Sequence, residues 1–436
     1  MKWLTTPGGG IVVSRIDWRS ITLERRYRLA GQSRAQGVLR PRASIRVEAE
    51  YALAALFCLA GFVLAYTASQ RAIHATGFGQ DFWPSRGAAE ALLHGRSVYA
   101  DPLFVYPPTA APAFLPTTLA SAGTALHVWL YFEVAALILA CYLATSRLAG
   151  RWWIMAGGLA TAMLMKGDLV NDSLWLANPS MFLAPVAVGV LLCFEDERWV
   201  AGCGWLAATL LVKPLLIALL ALPVLRYRWR ALGLTLGPAA VLLVLALLLV
   251  PGAGRLGHVL GHLVSGSTLE GHTGIYYNLS LQALGKRLGL GGLFDGLRVA
   301  VACLTLLTAA RWWRRPARTG DAAALGAVLM ACVLLVGRLS ESHYVVVLAL
   351  CLLPGVVLKG EWRFLLAAAP AFVVMLVPRY YLGGALGTPA DSQVRYILVE
   401  LLVLAAGVWM VWGRSPAGSR HPAVSRIPPG YAFRAD

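Results

Sequence analysis

The chain has 436 residues, 58% apolar and only 14% charged, with a mean hydropathy of +0.66. Soluble globular domains are about 45–50% apolar and about 25% charged, so too few polar residues remain here to clothe a water-soluble surface. Disorder, a disulfide-rich secreted module and an ordinary cytosolic enzyme are excluded, and a polytopic membrane protein is indicated. The formal charge of +17 would suggest a nucleic-acid partner on a soluble protein, but the placement of the basic residues gives it a topological meaning instead.

Residues 1–48 are polar, carry ten lysines and arginines and hold no apolar run long enough for a signal-peptide core. The run 49–68 is expected to act as an uncleaved anchor. Further apolar runs follow near 125–146, 153–166, 180–194, 199–212, 214–225, 231–250, 292–310, 322–337, 344–358, 363–378 and 396–413. They predict an all-α bundle of about twelve spans over 49–413, although 199–225 also reads as a hairpin dipping in from one face. Several runs are shorter than the roughly 20 residues that cross a bilayer core. The seven cysteines lie in or beside apolar runs without CxxC spacing and read as small buried hydrophobes.

Lysines and arginines gather in the N-terminal tail, in the short connections at Arg147/Arg151, Arg198, Arg226–Arg230, Arg311–Arg318 and Lys359/Arg363, and in the tail 414–436. The positive-inside rule therefore predicts a plasma-membrane protein with both termini cytoplasmic. Segments 69–124, 166–178, 251–291, 338–343 and 379–395 then face outward, and no nucleic-acid partner is expected.

The first outer segment carries the strongest chemical signal. Gly79-Gln80-Asp81-Phe82-Trp83-Pro84 leads into a short amphipathic helix over 85–95. The proline-dense stretch 107–120 should lie on the bundle as a juxtamembrane or re-entrant segment, because prolines at that density disfavour a spanning helix. Asp81, close to the membrane surface, is a candidate general base; the competing reading is a helix N-cap just ahead of Pro84. Asp168 and Asp172 share a helix face, where a divalent-cation site is conceivable but a solvated helix end is the preferred reading. His258 and His262 stand four apart but lack the glutamate of a zinc-enzyme motif, so an amphipathic surface helix is preferred and no metal site is expected. Lys213-Pro214 interrupts an apolar stretch. A lysine there either binds an anion such as a lipid phosphate or snorkels to the interface. His343, opening a very apolar span beside Tyr344, either donates to a phosphate or anchors at the interface.

Asp81, Tyr106-Pro107-Pro108, Asn178-Pro179, Lys213-Pro214 ahead of Arg226–Arg230, Asn278-Leu279-Ser280 and Ser342-His343-Tyr344 occur in an order that resembles glycosyltransferase family 87, of the GT-C superfamily. The likeness runs from about residue 50 to 413. It implies an inverting, metal-independent transfer of mannose, or of arabinofuranose, from a polyprenyl-phosphate donor to a cell-envelope glycolipid or polysaccharide, with no cofactor. It further implies Asp81 as the base, Lys213, His343 and Tyr344 at the donor phosphate, and Tyr106, Asn178, Asn278 and Arg338 at the substrates. A transporter or lipid flippase is the alternative from another class; it would favour two related halves with broken helices at matching positions, and no such repeat is visible.

Overall fold

A computed structural model describes residues 4–5, 11–12, 41–257, 261, 280–316, 318–337, 340, 342–376 and 388–413. Met1–Leu53 and Ala54–Asp436 form two compact units. In the first, the two-residue strands β1 (Leu4–Thr5) and β2 (Ile11–Val12) pair antiparallel, with Leu4 opposite Val12. Helix α1 spans Pro41–Ile73.

All regular elements described in the second unit are helical. The elements are α2 (Phe82–Leu93), α3 (Ala110–Ala113), α4 (Ala122–Thr145), α5 (Trp152–Lys166), α6 (Asp168–Leu176), α7 (Ser180–Glu195) and α8 (Trp199–Leu210), followed by a 3-10 segment at Pro214–Leu220 and α9 (Ala221–Leu225). Then come α10 (Trp229–Leu249), α11 (Leu281–Arg287), α12 (Gly291–Trp313), α13 (Asp321–Val336), α14 (Ser342–Lys359), α15 (Trp362–Leu376) and α16 (Thr388–Trp412).

Among the described residues five helices are long and apolar enough to cross a membrane: Glu48–Ile73 within α1, then α4, α10, α12 and Gln393–Trp412 within α16. The remaining apolar helices, α7, α8, the segment Pro214–Leu225, α13, most of α14, and α15, run 10–17 residues. Proline-dense 107–120 yields only α3 and a 3-10 turn at Leu115–Leu119.

Burial sorts these helices into two classes. Val345 through Leu352 of α14 are completely buried, and α13 is buried on nearly every side. By contrast α10 turns Val241, Leu242, Val244, Leu245, Leu248 and Leu249 outward. In water such a face would be unstable; in lipid it is the expected exterior, so α10 and its like form the periphery and α13, α14 and α16 the centre.

Lipid supplies no hydrophobic drive for one helix to meet another, so close packing must hold them together. Gly158 of α5 illustrates this. A Cβ built there would lie 2.8 Å from the backbone of Phe57 and Cys58 in α1, and a backbone cannot rotate out of the way. Replacing Gly158 by leucine is expected to destabilise the protein by about 1–3 kcal/mol, seen as a lower melting temperature in detergent. The same change at Gly233, which has nothing within 4 Å, should leave melting nearly unchanged.

Candidate active site

The Asp81 turn is fixed by backbone chemistry. After α1 the chain passes through Gly77 (φ +77°) and Gly79 (φ +86°), a left-handed conformation that favours glycine. Gly79 N–H donates to the Trp175 carbonyl at 2.8 Å and Asp81 N–H to that of Leu176 at 2.9 Å. Those carbonyls end α6, where no helical donor remains to meet them. Asp81 occupies the N-cap position of α2, yet its side chain makes no capping bond. Its carboxylate, half-buried, accepts from Asn178 Nδ2 at 2.6 Å instead.

Asn178 is set by the break between α6 and α7. Ala177 adopts a left-handed conformation (φ 52°), which ends α6, and Pro179 follows to start α7. Asn178 Oδ1 accepts from the Ser180 N–H at 2.9 Å and from Lys213 Nζ at 2.8 Å. Two donors on one atom identify it as the amide oxygen, which turns the NH2 toward Asp81.

Lys213 sits at the tip between α8 and the 3-10 segment. Its backbone is extended (φ −152°, ψ 116°), its N–H donates to the Thr209 carbonyl at 2.7 Å, and Pro214 starts the returning leg. Thr109 Oγ1 donates to the Leu211 carbonyl and ties the 107–120 segment to this tip. Lys213 is only 6% exposed. Its ammonium lies 5.3 Å from the ring centre of Tyr106 and 4.9 Å from that of Tyr344, both cation–π distances. Its Nζ also stands 3.4 Å from His343 Nε2. An ammonium can only donate, so Nε2 accepts and the His343 ring carries its proton on Nδ1.

Tyr106 is held from behind: Tyr99 O–H donates to its carbonyl at 2.8 Å. Burial pushes the Tyr99 phenol up to about 12, which keeps it a neutral donor. Asp81, Tyr106, Asn178, Lys213, His343 and Tyr344, scattered over more than 260 residues of sequence, thus form one constellation. Of the remaining candidates, Asn278 and Arg338 lie outside the described residues, as do His258 and His262.

Two features escaped the sequence reading. Glu133 of α4 is fully buried; one carboxylate oxygen accepts from Trp129 Nε1 at 2.8 Å and the other, Oε2, meets no hydrogen-bond partner. The charges of Asp81 and Lys213 both act on it, so it belongs beneath the same site. A lone carboxylate in the run 125–146 was the available signal. The second is α16: Tyr396 O–H donates to Asp172 Oδ2 at 2.6 Å, and Arg395 stands 3.7 Å from Asp168 Oδ2. The pair Asp168/Asp172 therefore docks α6 on α16, in place of the solvated helix end expected. Among the described residues no cluster of three or more histidine, cysteine or acidic side chains could hold a metal.

The model of glycosyltransferase family 87 matches residues 104–338. An α-(1→3)-arabinofuranosyltransferase of Corynebacterium glutamicum is 27% identical over 286 residues, covering 61% of this chain and 64% of that protein. The chain thus spans a little under two thirds of the length of that relative. No solved structure matches.

Asn178 bridges two charged groups, and each hydrogen bond to a charge is worth about 1.5–3 kcal/mol. Asn178→Leu is expected to lower the melting temperature in nanodiscs. Adding Lys213→Met to it should recover part of the loss, because the stranded ammonium is then gone.

Proposed function

The chain belongs to glycosyltransferase family 87, and from that premise we propose that it is a membrane glycosyltransferase carrying a sugar from a polyprenyl-phosphate donor to a cell-envelope glycan or glycolipid, with Asp81 as the general base. The observation that carries the reading is the chain of contacts Asp81–Asn178–Lys213–His343, which ends in a half-buried carboxylate at its outer member.

In this mechanism Asp81 takes the proton of the acceptor hydroxyl as its oxygen bonds to the anomeric carbon. The bond from that carbon to the phosphate oxygen breaks on the opposite side, and the electron pair leaves with the polyprenyl phosphate. One displacement inverts the configuration, and one base suffices. Asn178 orients the carboxylate by its 2.6 Å hydrogen bond.

Lys213 and His343 are buried, so in this conformation Lys213 acts on the departing phosphate by its field. A fixed positive charge in a water-poor interior acts more strongly than one in solvent. Tyr106 and Tyr344 confine that ammonium, and Asn278 and Arg338 complete the proposed substrate contacts. The chemistry needs neither metal nor cofactor. The site faces the outer side of the plasma membrane, with both termini cytoplasmic.

The arabinofuranosyl activity in the name of the Corynebacterium relative favours arabinofuranose as the donor sugar; mannose, placed first on sequence, is the competing donor. Purified protein in nanodiscs, supplied separately with polyprenyl-phosphate arabinofuranose and polyprenyl-phosphate mannose plus a cell-envelope acceptor extract, decides between them. Transfer from one donor is expected, unaffected by EDTA and lowered about 10²–10⁴-fold by Asp81→Asn. Wild-type rates in Asp81→Asn would overturn the assignment of the base. Glu133→Gln keeps an acceptor for the Trp129 N–H and nearly the same volume, so its transfer rate should fall less than that of Asp81→Asn.

A further inference from the structure

At the end of the bundle away from Asp81 lies a concave site. Helix α7 relates the two: it begins next to Asn178 and ends at Glu195, and its 16 residues rise about 24 Å. The leg Pro214–Leu225 does the same, starting beside Lys213 and ending before Arg226. Around the far ends of these legs the connections α7–α8, α9–α10 and α12–α13 enclose a cavity of about 380 Å³, within the size range of small-ligand sites.

Its polar lining holds three arginines, two tryptophans and Thr319 against two carboxylates, Glu195 and Glu197. Arg226, Arg228 and Arg318 all line it, and among the described residues none is ion-paired. Other cations at this end do have carboxylates: Arg147 pairs with Asp196, Lys359 with Asp321 and Arg363 with Glu361. The Arg226 guanidinium carbon lies 3.9 Å from the centre of the Trp312 ring, and that of Arg228 lies 5.3 Å from the centre of the Trp199 ring. Arg226 also donates to the carbonyls of Arg315 and Trp312, at 3.3 and 3.4 Å. These contacts orient the guanidiniums without neutralising them.

The two tryptophans add an independent sign. The indole N–H groups of Trp199 and Trp312 are both buried without an acceptor. An orphaned buried donor costs about 1–3 kcal/mol unless something fills the gap. Of the two carboxylates in the lining, Glu195 accepts from the N–H groups of Gly320 (2.9 Å) and Ala323 (2.8 Å), which caps α13. Glu197 remains; it is exposed, as are Arg228 and Arg318, it forms no ion pair with any of the three arginines, and its charge acts on the half-buried Arg226 from a distance. Backbone strain collects here too: of the three described non-glycine residues with positive φ, Glu197 (58°) and Tyr227 (53°) both flank this cavity.

Three unpaired guanidiniums and two orphaned N–H donors call for a ligand that is anionic and only accepts. We propose that this pocket binds a phosphate group, carried by an anionic lipid of the facing leaflet or by a soluble phosphorylated molecule. Basic pockets between membrane helices are suited to lipid phosphates, and arginine forks match phosphate oxygens two at a time.

The test uses the full chain in phosphatidylcholine nanodiscs, where a ligand bound only by the folded state raises the melting temperature. One arm adds phosphatidylglycerol to the disc and counts retained lipids by native mass spectrometry; the other titrates inorganic phosphate or pyrophosphate against chloride. A rise in the first arm alone assigns a lipid, and a rise in the second assigns a soluble phosphate. In either case Arg226→Gln/Arg228→Gln should bind about tenfold or more weakly. Arg230→Gln/Arg314→Gln removes equal charge from exposed positions at the same end, outside the lining, and should bind like wild type.

Equal loss in the two double variants would reduce the effect to diffuse charge and overturn the proposal. So would the absence of a rise in both arms. Should Arg226→Gln/Arg228→Gln fail to fold, Trp312→Phe keeps the ring and the charge but removes one N–H. It should weaken binding several-fold, and unchanged binding would count against the site.

Discussion

A single buried ammonium organises the centre of this protein. Lys213 is 6% exposed in an apolar bundle, where a lone charge is expensive unless other groups take over the role of water. Four do so: the Asn178 amide oxygen, His343 Nε2 and the faces of Tyr106 and Tyr344. They come from three regions of the chain, so solvating one lysine draws the α6–α7 break, the turn at Tyr106 and the start of α14 to the α8 hairpin tip. Asp81 is joined to the group through Asn178, and its backbone is pinned to α6. The proposed catalytic constellation and a folding constraint are here the same set of contacts.

The arrangement also explains why the site is built from chain breaks. Asp81 follows a glycine turn, Asn178 a left-handed alanine, and Lys213 lies in extended backbone between a helix and a 3-10 segment. Uninterrupted helices would bury their polar backbone groups against themselves and offer side chains only from their flanks. Interrupted ones bring side chains to a common point while neighbouring elements satisfy the released carbonyls and amides.

Much of this was legible in the sequence, and the reasons are local. A lysine beside a proline in an apolar run, an aspartate followed by two aromatics and a proline, and a histidine opening a span each violate the composition around them. Such violations can be read one residue at a time. The links between them could not, because the Asp81–Asn178 and Lys213–His343 contacts join positions 97 and 130 residues apart. Glu133 passed unnoticed inside an apolar run that reads as an ordinary span. Asp168 and Asp172 were misjudged for a related reason: their partners, Arg395 and Tyr396, lie more than 220 residues downstream, and nothing near the aspartates announces them. Element bounds fared well where prolines and glycines punctuate the chain. The short helices beside the hairpin kept the number of crossings open, since length is what distinguishes a span from a buried helix.

That shortness has a consequence for the surrounding membrane. The 12 residues of α8 rise about 18 Å, against a hydrocarbon core of about 30 Å. Val200 and Trp205 on that helix are more than half exposed, so lipid tails meet an apolar band far lower than they prefer to match. The bilayer can follow such a band only by dimpling, at a fraction of a kcal/mol for each ångström. A dimple at this flank lowers the headgroup plane toward the level of Lys213. For the polyprenyl-phosphate donor proposed above, such a dimple shortens the descent of the phosphate by shaping the solvent that carries it.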